Sequence, residues 1–230
     1  MYAMEEIMQN CLSKSTDGVI PFNWNVIRML NVKYLVLNQK VTHPNLIPAH
    51  ADDSGKIYTY LVDNRLSRGF FVEEYNVIPD QYDRLEYLNQ AIFDPGIEAI
   101  LEQEPEQTVN TPDSTYSRLI NFNPNYLEFE VYTDKSALFV ISESYYPPGW
   151  KIYMDEEEVT GIYKTNHSLQ SIIVPTGNHT IELKFEPGSY YKYLTFAGIS
   201  VGIIYLIIAV SLAMVIRERK GLLTKSKSPS

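Results

Sequence analysis

The stretch Tyr193–Ile216 constrains this chain more than any other. It runs for 24 residues without a charged side chain, and 19 of them are apolar. At 1.5 Å rise per residue such a helix is about 36 Å long, longer than the ~30 Å hydrocarbon core of a bilayer. The sequence therefore predicts one transmembrane helix over 193–216 and excludes a purely soluble globular protein. The averages conceal this. Hydrophobic residues make up 45% of the 230 and charged residues 20%, values ordinary for soluble proteins. The residues before the helix are accordingly polar enough to fold in water, and they suffice for one domain of ordinary size or two small ones.

Charge is divided unevenly around the helix. Residues 1–192 hold 14 Lys and Arg against 27 Asp and Glu, a net of −13. The tail 217–230 carries Arg217, Arg219, Lys220, Lys225 and Lys227 against Glu218, a net of +4. Basic segments stay on the cytoplasmic side. The tail is thus expected to be cytoplasmic and the region before the helix extracytoplasmic. Tyr190, Tyr191 and Tyr193 at the outer boundary resemble an aromatic belt. The N-terminal MYAMEEIMQNCLSK has no apolar run of 7–15 residues, so it does not read as a signal peptide. The expectation is a chain that ends a longer polytopic protein, with a reversed, tail-anchored orientation as the alternative.

Apolar periodicity divides the remainder. Residues 19–31 read as a short helix, with Val26, Ile27 and Leu30 on one face. Val32–Leu37, Lys56–Val62 and Gly69–Val77 read as strands, and 38–55 as a loop. Asp80–Ile92 reads as an amphipathic helix closed by Asp94-Pro95-Gly96. These make a small α+β region over 1–101. Residues 102–115 are acidic and Pro-bearing, and read as a linker. From Tyr116 the rhythm changes. Leu127, Phe129 and Val131 alternate with Glu128 and Glu130, so one face is buried and the other wet. Ala137–Ile141 is a continuous apolar run suited to a central strand. Trp150–Met154, Val159–Lys164, Leu169–Val174 and the alternating run around Ile181, Leu183 and Phe185 follow. Turn residues separate them at 123–125, 133–135, 147–149, 155–157 and 175–178. Short strands at about ten-residue spacing predict an antiparallel β-sandwich over 116–189. The fold class is mainly β with an α+β N-terminal part, followed by one transmembrane helix.

Few motifs carry chemistry. His43 and His50 with Asp52 and Asp53 make an imaginable loop metal site, but a solvated loop explains them as well. Asp155–Glu158 is acidic, yet neighbouring residues of a hairpin diverge rather than converge on Ca²⁺. Cys11 is the single cysteine, so no intramolecular disulfide forms. No nucleophile elbow, phosphate-binding Gly loop or cofactor motif occurs. The negative charge argues against nucleic acid as a partner. Trp150 follows the rigid Pro147-Pro148-Gly149. It is either a sugar-stacking platform or the plug of the sandwich core. As a platform it would work with Tyr145, Tyr146 and Tyr153. Gly198 and Gly202 form a small-xxx-small pair through which another helix could approach.

Several segments occur together: Leu30-Asn31-Val32-Lys33-Tyr34-Leu35-Val36, Ser67-Arg68-Gly69-Phe70-Phe71-Val72, Tyr145-Tyr146-Pro147-Pro148-Gly149-Trp150-Lys151, Pro175-Thr176-Gly177-Asn178-His179-Thr180-Ile181, and Phe185-Glu186-Pro187 before the helix. In this order the chain, over about 20–216, resembles the C-terminal region of the bacterial YfhO-type membrane proteins. The resemblance implies a large polytopic protein similar to the GT-C glycosyltransferases. Those use lipid-linked sugar donors and modify envelope polymers such as lipoteichoic acid. Their catalytic acidic residues lie in an N-terminal membrane part that this chain lacks, so no catalytic residue carries over. The family often has Asp-Gly-Lys at the hairpin after the Trp, where this chain has Asp155-Glu156-Glu157.

The expected function is that of a membrane-anchored extracytoplasmic portion, non-catalytic by itself. It would support envelope polysaccharide or lipid-linked sugar transfer by an upstream or partner membrane part. Expected partners are the bilayer, other transmembrane helices and envelope glycan. The alternative is an independent single-pass envelope protein whose sandwich binds protein or glycan.

Overall fold

The computed structural model describes residues 2–14 and 22–225; for Ser189, Tyr191 and residues 218–225 it describes the backbone alone. The chain forms two compact units, divided between Phe185 and Glu186.

Most of the regular structure described in the first unit is sheet. A five-stranded sheet is made by β7 (Thr115–Asn123), β8 (Tyr126–Thr133), β10 (Trp150–Met154), β11 (Glu157–Glu158) and β14 (Gly177–Phe185), in the order β11-β10-β14-β8-β7. A six-stranded sheet lies against it. It is made by β4 (Gly69–Phe71), β5 (Glu74–Val77), β6 (Glu98–Leu101), β9 (Ala137–Ile141), β12 (Tyr163–Thr165) and β13 (Leu169–Val174), in the order β4-β9-β13-β12-β6-β5. Among the described residues only β5 and β6 pair in parallel. A smaller sheet of β1 (Tyr34–Leu37), β3 (Tyr58–Val62) and β2 (Leu46–Ala51) stands apart in hydrogen bonding. The fold is the expected β-sandwich, followed by one candidate membrane helix.

Three cores explain the residue patterns. Leu127, Phe129, Val131, Phe139, Ile141, Trp150, Ile152, Ile172, Val174, Ile181 and Leu183 fill the space between the two large sheets. Leu138, Val140, Leu169 and Ile173, from the same central strands, face the other way. They meet Ile7, Cys11, Val26, Met29, Leu85 and Leu88 from the helical segments. β9 and β13 are therefore covered on both faces, which is why Ala137–Ile141 reads as an unbroken apolar run. Each such side chain contributes roughly 1.5–3 kcal/mol on burial. The third core, Trp24, Ile27, Leu46, Tyr60 and Val62, underlies the small sheet.

The helical segments are α1 (Tyr2–Ile7) continuing into a π turn (Met8–Leu12), α2 (Trp24–Met29) and α3 (Gln81–Leu88). Asn23 caps α2 by accepting from the Val26 N–H at 3.1 Å, and its own amide donates to Leu88 O at 2.9 Å. One buried side chain thus satisfies a helix start and ties α2 to the end of α3. Asp80 caps α3 by accepting from the Tyr82 and Asp83 N–H groups.

Two expectations need correction. The stretch 102–115 separates the two halves in sequence but not in the core. β4, β5 and β6 from the first half and β9, β12 and β13 from the second share one sheet. The supposed linker is strapped to that body: Asn110 N donates to Ser136 O at 2.7 Å, and Thr111 Oγ1 donates to Glu73 O at 2.9 Å. Gly69–Val77, expected as one strand, is two. β4 pairs with β9 at one edge of the sheet, whereas β5 pairs with β6 at the other. Of the helix expected over 19–31, residues 19–21 lie outside the described residues.

The second unit is α4 (Gly188–Lys225). Its segment Lys192–Arg217 is long and apolar enough to cross a membrane. The described side chains along it are exposed and apolar all round, the pattern of a helix solvated by lipid. The helix extends beyond the expected 193–216 into the basic tail; residues 226–230 of that tail lie outside the described residues.

Candidate functional site

The outward face of the five-stranded sheet is a continuous polar surface. Strict alternation creates it. In β8, Leu127, Phe129 and Val131 point into the core, so Tyr126, Glu128, Glu130 and Tyr132 point out. In β14, Ile181 and Leu183 point in, leaving Thr180, Glu182 and Lys184 outside. Trp150 and Ile152 of β10 point in, leaving Lys151 and Tyr153 outside. Register then brings distant residues into one row. Tyr153 lies opposite Glu182, Glu182 opposite Glu128, and Glu128 opposite Asn121 across a bulge in β7.

The row is a connected network. The Tyr126 hydroxyl donates to Glu182 at 2.6 Å and lies 3.2 Å from Glu128. Asn121 donates its amide to Glu128. Lys184 Nζ donates to Glu182 at 3.2 Å and sits 4.8 Å over the Tyr153 ring. Arg118 pairs with Glu130 at 2.6 Å, and Lys151 with Glu158 at 3.0 Å, toward the two edges. Partial burial, with Glu182 and Glu128 alongside, pushes the Tyr126 phenol well above its ordinary range. The Tyr126 O–H and the Lys184 ammonium outweigh the burial of Glu182 and hold its carboxyl below the usual range. At neutral pH the face therefore presents the ionised Glu182 carboxylate, the un-ionised Tyr126 phenol and the Tyr153 ring. Four carboxylates are offset by three cations, which leaves the face close to neutral. Carboxylates accept hydroxyl hydrogen bonds and rings pack against C–H surfaces, a combination suited to a polyhydroxylated ligand.

The four aromatic residues expected to contact glycan do not converge. Trp150 is 9% exposed and meets Phe185 edge-on at 5.2 Å, inside the sandwich core. Of its two sequence readings, the core plug is the one realised. Tyr146 stacks on Phe185 at 6.4 Å and 22°, and it keeps an exposed side. A Cβ at Gly149 would press on the Phe185 ring and stand 2.6 Å from the Tyr146 ring, so the two rings would have to shift for any other residue. Tyr145 is half-buried beside Glu102, Ile162, Tyr163 and Lys164. Tyr153 alone lies on the outer sheet face, on the opposite side of β10 from Trp150. Tyr126, Glu128 and Glu182 were not singled out from sequence. Their outward direction was visible in the alternation, but their meeting depends on β8 pairing with a strand some 50 residues later.

No family model, no curated protein and no solved structure matches the chain.

The other sequence candidates have structural settings. The His43 ring packs against Trp24 at 4.9 Å, and His50 lies in β2 opposite Thr59. Asp52 accepts from the Ser54 hydroxyl, and from the Ile57 and Lys56 N–H groups at 2.7 Å each; Ser54 first, then these amides, lower its carboxyl to about 2. No cluster of three or more His, Cys, Asp or Glu suited to a metal occurs among the described residues. Asp155 and Glu156 form the β10–β11 turn with φ of +51° and +73°. The Asp155 carboxylate bonds His179 Nδ1 at 2.6 Å and accepts from the Thr180 N–H at 2.9 Å, tying the turn to β14. Around Gly198 and Gly202 a Cβ would meet nothing within 4 Å, so both leave open space on α4.

Proposed function

We propose that this chain is the membrane-anchored extracytoplasmic C-terminal portion of a YfhO-like protein. It is non-catalytic by itself. It holds or positions an envelope polysaccharide or lipid-linked sugar for a GT-C-like membrane part located upstream or in a partner chain. The carrying observation is a β-sandwich with a nearly neutral Tyr/Glu/Lys outer face, on a chain that enters an apolar segment of membrane-spanning length seven residues after Phe185. The charge asymmetry around that segment supports a cytoplasmic tail and an extracytoplasmic sandwich in the cell membrane. Tyr153, Tyr126, Glu128 and Glu182 supply the glycan contacts, with the exposed side of Tyr146 as a further aromatic surface.

The test uses the full chain in lipid nanodiscs and measures retention on immobilised neutral glucan and on lipoteichoic acid. The expected result is retention that Tyr153→Ala combined with Glu182→Gln lowers at least tenfold without loss of the folded near-ultraviolet signal. Absence of retention on either polymer overturns the glycan reading. Orientation is tested separately by protease added to intact cells, which is expected to spare residues 217–230.

A second reading is favoured by the open Gly198/Gly202 surface of α4. In it the chain is an independent single-pass envelope protein that meets another helix there. Loss of a crosslinked partner in Gly198→Ile with Gly202→Ile, with insertion intact, supports that reading.

A further inference from the structure

The hairpin turn between β12 and β13 sits where turns are seldom found. Asn166 and His167 adopt φ of +47° and +70°, left-handed backbone within a three-residue connection between the paired Thr165 and Leu169. Such turns normally face water. Here Asn166, His167 and Ser168 are at most 2% exposed. On one side the turn is pinned to β6: Asn166 N donates to Ile100 O, and the Ile100 N–H donates to Asn166 Oδ1, both at 2.8 Å. On the other side it is covered by α1. His167 Nε2 bonds Glu6 Oε2 at 2.7 Å, and Ser168 Oγ lies 4.0 Å from Met4 Sδ.

The cover fits imperfectly. Asn166 Nδ2 and His167 Nδ1 are buried without a hydrogen-bond partner. His167 is the residue bonded to α1, so lifting α1 would open its ring to water, and docking opposes that solvation. The ring of His167 is the sensitive point. Neutral, it donates from Nε2 to Glu6 and leaves a bare acceptor at Nδ1. Protonated, it places a second N–H at Nδ1 where nothing accepts it. The charged groups around it are Glu6 on α1, which favours the cation, and Lys164 on β12 and Arg84 on α3, which oppose it. Lys164 and Arg84 themselves share Glu102, at 2.7 and 2.5 Å. Burial and the two cations outweigh Glu6, so the docked ring resists protonation relative to a solvated imidazole.

We propose that the segment Tyr2–Leu12 is an acid-released clasp, undocked from the Asn166–Ser168 turn by a proton on His167. The direction follows from linkage. The undocked state exposes His167 to water and binds the proton that the docked state refuses. Below the ordinary histidine pKa of about 6.5, acid therefore favours undocking, by up to about tenfold per pH unit. Undocking uncovers the polar turn and the apolar surface that Ile7 and Cys11 now occupy on Leu85 and Leu88.

The chain carries its own reporter. Cys11 is the single thiol and is fully buried, with its Sγ on Leu85 O. The experiment follows Cys11 labelling in the full chain in nanodiscs, using a dipyridyl disulfide, which reacts with thiols in acid. The expected result is labelling that accelerates several-fold to tenfold per pH unit between about pH 6.5 and 5, while near-ultraviolet circular dichroism holds. His167→Gln keeps a neutral donor for Glu6 and is expected to flatten that dependence. Glu6→Gln removes the one group that tethers the ring and is expected to speed labelling at every pH. Labelling that is flat with pH in the native chain overturns the clasp, as does an unchanged slope in His167→Gln. If His167→Gln loses its folded signal, Glu6→Gln decides, and labelling no faster than native then overturns it.

Discussion

The hydroxyl of Tyr126 donates to the carboxylate of Glu182, 56 residues later in the chain, at 2.6 Å. The bond crosses the β8–β14 pairing and joins two carboxylates, a phenol and an ammonium into one surface. Replacing Tyr126 by Phe removes the donor but keeps the ring. The expected cost is about 1 kcal/mol, the usual net value of such a bond. The pH response has a definite sign. Glu182 is held below its ordinary pKa, so its contribution is present above about pH 4.3 and is lost as pH falls through its lower folded value. In Tyr126→Phe that depression shrinks, and acid unfolding is expected at higher pH. Urea titrations repeated across the acid range check both effects.

Trp150→Ala empties space bounded by Phe185 and the core residues between the two large sheets. The expected loss is about 3–5 kcal/mol. Trp150→Phe is expected to cost less and to retain glycan at the native level, since the indole does not face the outer surface. A denaturation midpoint and a retention assay on the same two proteins separate packing from binding.

Glu156 holds φ at +73° in a turn where a residue without Cβ is at ease. Left-handed backbone costs an L-residue roughly 1–2 kcal/mol, and glycine gives back about 0.5–1 in chain entropy. Glu156→Gly is therefore expected to raise stability by about 0.5–1 kcal/mol, whereas Glu156→Ala, which keeps the strain, is not. Equilibrium unfolding of both variants checks this.

Gly69 opens β4 where the rings of Phe139 and Phe129 crowd the backbone. A Cβ would stand 2.5 and 2.8 Å from them. Those rings pack edge to face at 5.6 Å within the core and have little room to yield. Gly69→Ala is expected to destabilise by about 1–3 kcal/mol, read as a lower denaturation midpoint.

Much of the second half was legible because its signals are local. Leu169–Val174 is a strand with the bounds expected of it. The turns at 123–125 and 155–157 fall where Asn, Pro and Asp mark them. α3 forms within the expected Asp80–Ile92 but stops at Leu88. The first half was harder. β6 is only Glu98–Leu101, four buried residues with no alternation, so periodicity carries no signal there. β2 lies in an expected loop because Pro48 and an irregular register disguise it. α1 and its π turn carry Met4, Ile7, Met8, Cys11 and Leu12 at helical spacing, so an amphipathic face was present in the sequence; what it packs against lies far along the chain. The outer face was half legible: alternation gave direction, while partners required the sheet order. Trp150 was legible as an alternative, and only burial chose between its two readings.

The six-stranded sheet takes its outer strands from residues 69–101 and its central strands from residues 137–174. β4 has no neighbour until Ala137–Ile141 exists, and β5–β6 alone make a two-stranded ribbon that would not persist in water. The sheet closes only when β13 is complete at Val174, fourteen residues before α4 begins at Gly188. The first hundred residues are consequently not a transferable module. Exchanging them with those of a relative would replace half the strands of one sheet, and the graft would succeed or fail on whether β9 and β12 recognise the new edges.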